Sequence, residues 1–496
     1  MLNKPRYCLK SMRKGCCDDA LKDNRMLMLS EVAKAVSGQL IGDDIEVKNI
    51  GIDSRNIVKN QLFVAIQGEN FDGNTFAGVA INLGAGAVII SDANSLARPA
   101  VLVKNTRLAL GLLAKYWRNK FALPLVAVTG SNGKTTVKEM IVAILNAANK
   151  NVIATQGNLN NDIGMPITLL NLQQKHDVAV IEMGMNHLGE IDYLTHIAQP
   201  TVAVINNSGT AHIGELGSRE NIAKAKGEIF AGLADTGTAV INADDDFADY
   251  WKSLNQHKKM ITFGLNDLDR QKQADVTAVF VEKDGVNQVN LTTPNGNVAF
   301  NLALLGKHNV SNALAASACA VALGVVNADI ASGLSNMQAV YGRLQRKAGF
   351  NGAMVFDDTY NANPDSMKAA IDVLATQQNS IFVMGDMAEL GENAPQMHTD
   401  IGLYAKQKGI EQLYTFGDLS AKANDIFGQN AAHFSDLESL VFALKSQMKP
   451  TITVLVKGSR AMQMERVVNQ ILEKALLDTS EKITQEINAR EKTKCC

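Results

Sequence analysis

The stretch Pro124-Leu-Val-Ala-Val-Thr-Gly130-Ser-Asn-Gly133-Lys134-Thr135-Thr136 joins a short apolar run to a glycine turn and then to a helix-like segment. Glycines let backbone N–H groups converge on a phosphate, and the N-terminus of the following helix adds partial positive charge. In such a loop Lys134 would contact the β- and γ-phosphates of a nucleotide, and the Thr135 hydroxyl would contact Mg²⁺. The stretch therefore predicts an ATP site.

The spacing of this loop departs from the general phosphate-loop pattern. That pattern needs a glycine five positions before Gly133, where this chain has Val128, so the turn is two residues shorter. A glycine turn with an incidental lysine is the alternative interpretation. We favour the nucleotide site because an apolar strand precedes the turn and a helix follows it.

Length and composition indicate a soluble globular chain of several domains. At 496 residues, and with about 150 residues per domain as a guide, the length suggests three domains. A hydrophobic content of 46% with 20% charged residues is ordinary for globular proteins. The formal net charge of −2 gives no overall field that would attract nucleic acid or an anionic membrane. We therefore expect neither as a partner.

Cysteine usage and the lack of a long apolar segment favour a cytoplasmic location. Cys319 lies in an alanine-rich helical pattern, where a buried structural thiol is expected, and no disulfide framework is present in the body of the chain. No apolar run reaches the roughly 20 residues that a membrane span needs, so membrane insertion is not expected. The other cysteines lie in the terminal segments: Cys8, Cys16, Cys17, Cys495 and Cys496.

The two ends of the chain are predicted to lie outside the folded domains. Residues 1–25 are basic but have no continuous apolar stretch, so they do not resemble a secretory signal and are predicted to be a disordered extension. Met26 or Met28 is an alternative start, since both precede the first regular pattern. Residues 474–496 are charged and weakly amphipathic, and a frayed terminal helix is predicted there.

The order of strand and helix patterns predicts an α/β chain of three domains. Residues 26–120 mix short strands with helices, whereas residues 121–335 alternate uniformly apolar strands with helices, which favours a parallel sheet covered on both faces. Residues 336–473 repeat this alternation. Residues 273–304 alternate instead, with a Pro-Asn-Gly turn at 294–296, and predict an antiparallel hairpin at the sheet edge. The predicted parallel strands are 125–128, 177–183, 201–206, 238–242 and 260–263, then 353–357, 380–384, 412–416 and 451–456.

Polar residues follow two of the central strands. Glu182 ends one of them, and the carboxyl ends of parallel strands share one crevice, so Glu182 could coordinate Mg²⁺ beside Thr135. A solvated strand-end carboxylate is the alternative. His212 follows the next strand and could be a functional or a structural histidine. Lys224 and Lys226 lie on a helix near the predicted triphosphate and, from spacing alone, are more simply explained as solvated lysines.

Ordered motifs along residues 29–470 resemble those of the Mur ligase family, the ATP-dependent amide-bond-forming ligases of cell-wall precursor synthesis. They include the loop at 129–136, the segments 156–164, 182–186, 211–212, 223–230 and 306–316, and the later segments 342–344, 385–391 and 457–460. The stretch Asp357-Asp-Thr-Tyr-Asn-Ala-Asn-Pro364 distinguishes one member from its sisters. That member adds D-alanyl-D-alanine to UDP-MurNAc-tripeptide.

The resemblance implies three domains with separate tasks. These are a small mixed α/β domain that binds the UDP end of one substrate, a central ATPase domain with a phosphate loop, and a Rossmann-like C-terminal α/β domain for the amine substrate. It implies an ADP-forming ligase that acts through an acyl phosphate, uses ATP and two Mg²⁺ ions, and works as a monomer. It leaves open whether the third residue of the peptide is diaminopimelate or lysine.

The resemblance also implies roles for individual residues. Lys134, Glu182, His212 and Lys226 would be catalytic, and Thr135, Glu182, His212 and a carbamylated Lys226 would hold the metal. ATP would be bound by Thr129, Gly130, Ser131, Asn132, Gly133, Lys134, Thr135, Thr136, Asn309, Arg343 and Asp357. The substrates would be bound by Ser54, Arg55, Asn158, Asn160, Asn161, Asp162, Tyr360, Asn361 and Asn363. One position departs from the family pattern, because Asn74 stands where related chains often carry histidine.

Two rival functions differ in chemistry. The enzymatic rival is a sister ligase that adds the third peptide residue, or a folylpolyglutamate-type ligase. A sister that adds a diamino acid would be expected to show an Asp-Asn-Pro-Arg-like loop in the third domain, and this chain has none. A regulatory nucleotide-binding protein of the GTPase type would carry an Asn/Thr-Lys-x-Asp tetrapeptide for guanine, which is also missing from the sequence. The ligase that adds D-alanyl-D-alanine is therefore the favoured prediction.

Overall fold

The computed structural model describes residues 26–68, 71–265 and 274–473. Within them the chain forms two compact units that divide between Tyr116 and Trp117. None of the helices in these ranges combines the length and the apolar character that crossing a membrane requires. The predicted extension at 1–25, the predicted helix at 474–496 and the five terminal cysteines lie outside the described residues, whereas Met26 and Met28 lie in the first described strand.

The first unit is a small mixed α/β fold. Its main sheet has the strand order β2-β7-β6-β5-β4, in which only the β2–β7 pair is antiparallel, and β1 pairs with β3 in a separate two-stranded sheet. The apolar run at 87–90 is buried at every position, which places β6 inside the sheet. The elements are β1 Met26–Met28, α1 Leu29–Ala35, β2 Gln39–Ile41, β3 Glu46–Lys48, β4 Ile50–Gly51, β5 Leu62–Val64, α2 Ala77–Asn82, β6 Ala87–Ile90, β7 Ala100–Leu102 and α3 Thr106–Arg118.

The second unit begins with a six-stranded sheet in which every pair of strands is parallel. The strand order is β13-β12-β11-β8-β10-β9, which confirms the predicted parallel sheet and adds the strand β9 that the sequence reasoning did not identify. The strands and helices of this part are β8 Leu125–Thr129, α4 Lys134–Ala147, β9 Val152–Ala154, α5 Gly164–Leu170, β10 Val178–Glu182, α6 Glu190–Ala198, β11 Val202–Ile205, α7 Ile213–Leu216, α8 Arg219–Gly227, β12 Thr238–Asn242, α9 Ala248–Ser253 and β13 Lys259–Phe263.

The predicted hairpin at the sheet edge is wrong in detail. The structure has three antiparallel strands, β14 Thr277–Lys283, β15 Val286–Thr293 and β16 Gly296–Leu302, which form a sheet of their own. A single bridge between Phe263 and Val276 joins this sheet to the end of β13. The alternating apolar and polar residues at 273–304 span two successive hairpin turns and not one. The buried side chains of these strands pack into the core of the central sheet.

Two helices complete that core. They are α10 Lys307–Ala322 and α11 Asn327–Ser335, and both pack with α4 against one face of the central sheet. α10 is rich in alanine, so its backbone can approach its neighbours closely, and Cys319 is buried within it as expected. Burial raises the pKa of the Cys319 thiol, which keeps it protonated. At Gly333 in α11 an added Cβ would lie 2.5 Å from the Cα of Ile144 in α4.

The last part of the second unit is another six-stranded sheet, with the order β17-β18-β22-β19-β20-β21. All of its pairs are parallel except β17 with β18, and hydrophobic clusters cover both of its faces. The sequence reasoning found the four inner strands and missed the two edge strands, β17 and β21. The elements are β17 Gln345–Ala348, β18 Met354–Asp358, α12 Pro364–Leu374, β19 Ser380–Gly385, α13 Ala394–Gln407, β20 Gln412–Phe416, α14 Ala421–Phe427, β21 Ala431–Phe434, α15 Leu437–Gln447, β22 Thr453–Lys457 and α16 Glu465–Ile471.

Candidate active site

The glycine turn after β8 is shaped by its contact with two asparagines. Gly133 has a φ of 78°, in the left-handed region that favours glycine, and α4 begins at Lys134. A Cβ at Gly133 would lie 2.3 Å from the Oδ1 of Asn312 and 2.6 Å from the Nδ2 of Asn206. Any side chain at this position would therefore push the loop away from its supporting residues.

Lys134 bends back over this loop. Its Nζ donates to the carbonyl of Gly130 at 2.7 Å and, more weakly, to that of Ser131 at 3.4 Å. Burial lowers the pKa of Lys134, with the charge of Arg343 acting in the same direction and those of Glu182 and Glu389 opposing it. A half-buried lysine over a loop of backbone donors is an arrangement that suits phosphate binding.

The end of β11 holds the loop in place. Asn207 binds Asn132 through both amide atoms, accepting from its backbone N–H at 2.9 Å and donating to its carbonyl at 3.1 Å. The Nδ2 of Asn206 donates to the same carbonyl at 2.9 Å and to the Oδ1 of Asn312 at 2.8 Å. The sequence reasoning gave no role to Asn206, Asn207 or Asn312. The signal that could have found them is the pair of amides at the end of a strand that neighbours the phosphate-loop strand.

Thr135 and Glu182 meet at the shared edge of β8 and β10. The Thr135 hydroxyl donates to Oε2 of Glu182 at 2.9 Å, and the amide of Asn160 donates to Oε1 at 2.8 Å. The backbone N–H of Glu182 donates to the Thr155 hydroxyl at 2.9 Å. The first turn of α4 and the connection between β9 and α5 thus orient this buried residue.

A hydroxyl and a carboxylate are hard oxygen donors of the kind that Mg²⁺ prefers. Across residues 26–68, 71–265 and 274–473, no group of three or more His, Cys, Asp or Glu side chains is placed to hold a metal ion. Mg²⁺ in nucleotide sites is usually bound through one or two carboxylates together with substrate phosphates. Thr135 and Glu182 therefore fit a metal that arrives with a nucleotide.

His212 faces the last part of the unit. It precedes α7 with a φ of 63°, and its Nδ1 lies 2.7 Å from Oε2 of Glu389. Close by, the backbone N–H of Gly214 donates to the carbonyl of Glu389 at 3.1 Å. A Cβ on Gly214 would lie 2.7 Å from the nitrogen of Gly391, so the backbones of these two segments are in direct contact. Among the described hydrogen bonds and ion pairs, none joins His212 to Glu182.

Lys226 is a buried lysine on α8. Only 2% of it is exposed, and its Nζ has no hydrogen bond or ion pair among the described residues. Its pKa is held well below the usual value by burial first and by the charge of Lys134 second, while Asp245 acts in the opposite direction. Burial and the charge of Lys134 therefore both favour the uncharged form of the Lys226 amine. Lys224, its neighbour on the helix, is exposed, as its spacing suggested.

Residues of the last part of the unit reach the phosphate loop. Nη2 of Arg343 donates to the Thr135 hydroxyl at 2.9 Å, and its guanidinium lies 4.2 Å from the centre of the Tyr360 ring. The amide of Asn363 donates to Oδ1 of Asn132 at 2.7 Å. The structure thus brings these predicted residues together around one crevice.

The Asn361 and Asp357 side chains are engaged elsewhere. The Oδ1 of Asn361 accepts from the backbone N–H of Ala362 at 2.8 Å and from that of Arg460 at 3.3 Å. The backbone carbonyl of Asn361 accepts from the ammonium of Lys457 at 2.9 Å. Asp357 is fully buried, 2.5 Å from the ammonium of Lys347. No described hydrogen bond joins Asp357 to the phosphate loop.

The remaining predicted residues of the second unit have local structural partners. The amide of Asn309 donates to the carbonyl of Leu305 at 2.8 Å and accepts from Asn312 at 3.2 Å. The Thr129 hydroxyl donates to the carbonyl of Met183 at 2.9 Å, and Ser131 accepts from the N–H of Gly209 at 2.9 Å. Asn161 accepts from the N–H of Gly164 at the start of α5, Asn158 and Asp162 lie in the same connection, and Thr136 is buried in α4.

In the first unit, Ser54 and Arg55 lie in the connection after β4. The Arg55 side chain is 85% exposed and binds Asp53 at 2.8 Å, and this pairing lowers the pKa of Asp53 to about 2. Asn74 binds Asp72 and the backbone of Ser91, so its amide is part of a turn. A cavity of about 440 Å³ opens beside it, lined by side chains that include Asp72, Asn74 and Arg98.

Three family models match this chain. The Mur ligase middle domain matches residues 128–320, the Mur ligase, glutamate ligase domain matches residues 342–460, and the model described as Mur ligase family, catalytic domain matches residues 46–118. Their matches follow one another along the chain and together cover most of it.

Individual relatives align over nearly the same length. The UDP-N-acetylmuramoyl-tripeptide–D-alanyl-D-alanine ligase of Escherichia coli (strain K12) is 41% identical over 448 residues, which are 90% of this chain and 98% of the relative. The crystal structure of MurF from Acinetobacter baumannii superposes with a TM-score of 0.84 at 36% identity, over 89% of this chain and 98% of that one. MurF ligase from Thermotoga maritima in complex with ADP gives 0.77 at 28% identity, over 86% and 97%. The chain belongs to the Mur ligase family.

Proposed function

We propose that this chain is an ATP-dependent ligase that joins D-alanyl-D-alanine to UDP-MurNAc-tripeptide, giving UDP-MurNAc-pentapeptide for peptidoglycan synthesis. The observation that carries the proposal is the position of the Thr135 hydroxyl, 2.9 Å from both Glu182 and Arg343. A hydroxyl, a carboxylate and a guanidinium around a glycine loop suit phosphoryl transfer. The names of the relatives that align with about nine-tenths of the chain support the choice of substrates.

The bond that forms first is between the substrate and the γ-phosphorus of ATP. A carboxylate oxygen at the end of the tripeptide attacks that phosphorus, the bond to the β,γ-bridging oxygen breaks, and ADP leaves with the electron pair. Lys134 and Arg343 reduce the repulsion between the attacking anion and the polyanion, and they stabilise the charge that spreads over the phosphoryl oxygens. The product of this step is an acyl phosphate.

The amide bond forms in the second step. The free amine of D-alanyl-D-alanine attacks the acyl carbonyl, the tetrahedral intermediate loses a proton from nitrogen, and inorganic phosphate departs. An acyl phosphate is lost if water reaches it, so the crevice must exclude water. The contacts of Asn363 with Asn132 and of Asp365 with Thr210 lie at the mouth of the loop and support this task.

Thr135 and Glu182 are the residues proposed to hold Mg²⁺, which when bound would neutralise phosphate charge. His212 is proposed as a further ligand through Nε2, since its Nδ1 faces Glu389. These assignments rest on the oxygen donors at the end of β10 and on the position of His212 beside the same crevice.

Lys226 is proposed to carry a carbamate. A neutral buried amine can add to CO₂, forming a nitrogen–carbon bond and releasing one proton to solvent. The resulting anion would offset the charge of Lys134 and give the site a further pair of oxygen donors. Isotope-labelled bicarbonate followed by carbon NMR tests this modification, and Lys226→Ala is the control that removes the signal.

The substrates are assigned to two groups of residues. Ser54 and Arg55 of the first unit are proposed to bind the UDP end, and the connection at 158–162 the peptide-bearing sugar. Tyr360, Asn361 and Asn363 are proposed to face the nucleotide and the incoming amine. The domain boundaries at 120 and 335 and a monomeric state are part of the same proposal, and light scattering on purified protein tests the latter.

Phosphate release from ATP in a substrate matrix tests the proposed function. One arm contains UDP-MurNAc-tripeptide with D-alanyl-D-alanine, and the other contains UDP-MurNAc-dipeptide with diamino acids. We expect release only in the first arm, together with a pentapeptide product by mass spectrometry. Release only in the second arm would identify the sister ligase, and ATP binding without release in either would favour the regulatory protein.

A further inference from the structure

A second lysine of α4, Lys138, has no part in the chemistry described above. It is 2% exposed, and its Nζ donates to the carbonyl of Thr155 at 2.6 Å. The same ammonium lies 2.6 Å from Oε1 of Glu139, whose side chain is 40% exposed. Burying an ammonium is unfavourable unless it is hydrogen-bonded, and the carbonyl of Thr155 supplies that bond on the buried side.

Thr155 connects this lysine to the candidate active site. It is 1% exposed, its hydroxyl accepts from the backbone N–H of Glu182 at 2.9 Å, and its own N–H donates to the carbonyl of Val180 at 3.1 Å. Thr155 comes directly after β9 and is hydrogen-bonded to the C-terminal half of β10. A residue that moves Thr155 moves the backbone that carries the Glu182 carboxylate.

The contacts close into a ring. Thr135 and Lys138 are three residues apart in α4, a spacing that places both on the same side of a helix. Thr135 binds the Glu182 carboxylate, Glu182 binds the Thr155 hydroxyl through its backbone, and the Thr155 carbonyl returns to Lys138. The carboxylate is thus fixed from its side chain and from its main chain by the same helix.

We propose that Lys138 is a positioning residue for nucleotide-bound metal: it holds Thr155, and through it Glu182, in the geometry in which Glu182 and Thr135 bind the metal together. The inference rests on the proposed function. Residues that orient metal ligands from behind change metal affinity by about 10- to 100-fold when they are removed. Lys138 acts from inside the protein, so it should affect metal and nucleotide without affecting the amine substrate.

The test compares Lys138→Met and Thr155→Val with the conservative variants Lys138→Arg and Thr155→Ser. Glu139→Gln keeps the contact between Lys138 and Thr155 while removing the ion pair, and Lys150→Met changes an exposed lysine just beyond α4. Two readouts are used: the Mg²⁺ concentration that gives half-maximal product formation, and calorimetric binding of Mn²⁺ with ADP. Thermal unfolding is recorded for every variant.

We expect Lys138→Met and Thr155→Val each to raise the Mg²⁺ requirement and to weaken Mn²⁺–ADP binding by about 10-fold. The KM for D-alanyl-D-alanine should stay unchanged, and Thr155→Ser should restore metal binding. Because the Thr155 carbonyl and hydroxyl are successive links of one chain of contacts from Lys138 to Glu182, the double variant should be little worse than the weaker-binding single variant. Glu139→Gln and Lys150→Met should bind metal as the unaltered protein does.

Unchanged Mn²⁺–ADP binding in Lys138→Met would overturn the inference whatever Thr155→Val does, as would a loss of thermal stability alone. If Lys138→Met fails to fold, Lys138→Gln, which removes the charge and shortens the side chain, takes its place, and the same result is expected of it. Calorimetry needs no amide product. Unaltered protein that binds Mn²⁺–ADP but forms no pentapeptide would therefore refute the proposed function and still test Lys138.

Discussion

Arg343 and Thr135 are 208 residues apart in the chain, and Nη2 of the first donates to the hydroxyl of the second at 2.9 Å. The contact joins the loop before β17 to the first turn of α4. The Nε of Arg343 is buried without a hydrogen-bond partner among the described residues. A buried donor without a partner is energetically costly. The Nε–H of Arg343 is therefore free to donate a hydrogen bond to a phosphate oxygen of the nucleotide.

Replacing Arg343 by alanine should lower kcat about 10²- to 10³-fold, the usual cost of removing one strong transition-state contact. The Arg343→Lys variant keeps the charge but loses the planar stacking on Tyr360, so it should recover only part of the activity. Steady-state phosphate release measures both. Equal activity of Arg343→Ala and the unaltered enzyme would exclude a role at the phosphate.

Lys134→Ala should abolish turnover, since the variant loses the ammonium that lies over the loop carbonyls of Gly130 and Ser131. A loss of at least about 10²-fold is expected. Lys150→Met, an exposed change on the same chain segment, serves as the control. Activity of Lys134→Ala within about tenfold of the unaltered protein would refute the assignment.

His398 predicts a pH dependence of stability. It is buried, its Nε2 accepts from the N–H of Met387 at 2.9 Å, and its Nδ1 lies 2.7 Å from the carbonyl of Ala394, so the neutral ring with the proton on Nδ1 satisfies both contacts. Burial lowers the pKa of His398 below its ordinary 6.5. The unfolded chain therefore binds a proton at a pH where the folded chain does not.

The free energy of unfolding should accordingly be highest above the unfolded pKa of about 6.5 and fall as the pH drops toward the folded pKa, by up to about 1.4 kcal/mol per pH unit. Urea unfolding at a series of pH values measures this slope. His398→Gln keeps an acceptor and a donor but cannot be protonated, so its slope should be smaller by the contribution of one proton. Parallel curves for both proteins would contradict the prediction.

Two glycines in helices should respond in opposite directions to alanine. At Gly333 the new Cβ would lie 2.5 Å from the backbone of Ile144, and Gly333→Ala should destabilise the protein by about 1–3 kcal/mol. At Gly78 in α2 nothing lies within 4 Å of the new atom, and Gly78→Ala should stabilise by about 0.5–1 kcal/mol. Denaturant unfolding of the two variants measures both effects. A lower free energy of unfolding for Gly78→Ala than for the unaltered protein would contradict the expected stabilisation of α2 by alanine.

Much of the fold could be predicted because the central strands are buried on both faces. Continuous apolar runs such as those of β8 and β10 leave few alternatives, and their polar ends mark one edge of the sheet. The edge strands β9, β17 and β21 were missed for the opposite reason. They are short and partly exposed, so their sequences carry no uniform apolar pattern.

The candidate site was predictable where chemistry is local and unpredictable where it depends on distant contacts. Lys134 and Thr135 follow from one stretch of sequence, and Glu182 follows from its place at a strand end. Nothing in the sequence indicates that the amide of Asn206 binds both the phosphate loop and Asn312, since that contact spans 106 residues. The engagement of Nδ1 of His212 by Glu389 is equally a product of tertiary packing.

The backbone contact between Gly214 and Gly391 gives experimental control over the crevice. A Cβ at Gly391 would lie 3.2 Å from the Cα of Gly214, so neither position has room for a branched side chain. Gly214→Val should act as a wedge that separates α7 from the segment carrying Glu389 without altering any residue assigned to ATP. Such a variant should hold these two segments apart, which small-angle scattering would detect as a larger radius of gyration. It would also give inhibitor screens a protein in which the crevice stays open.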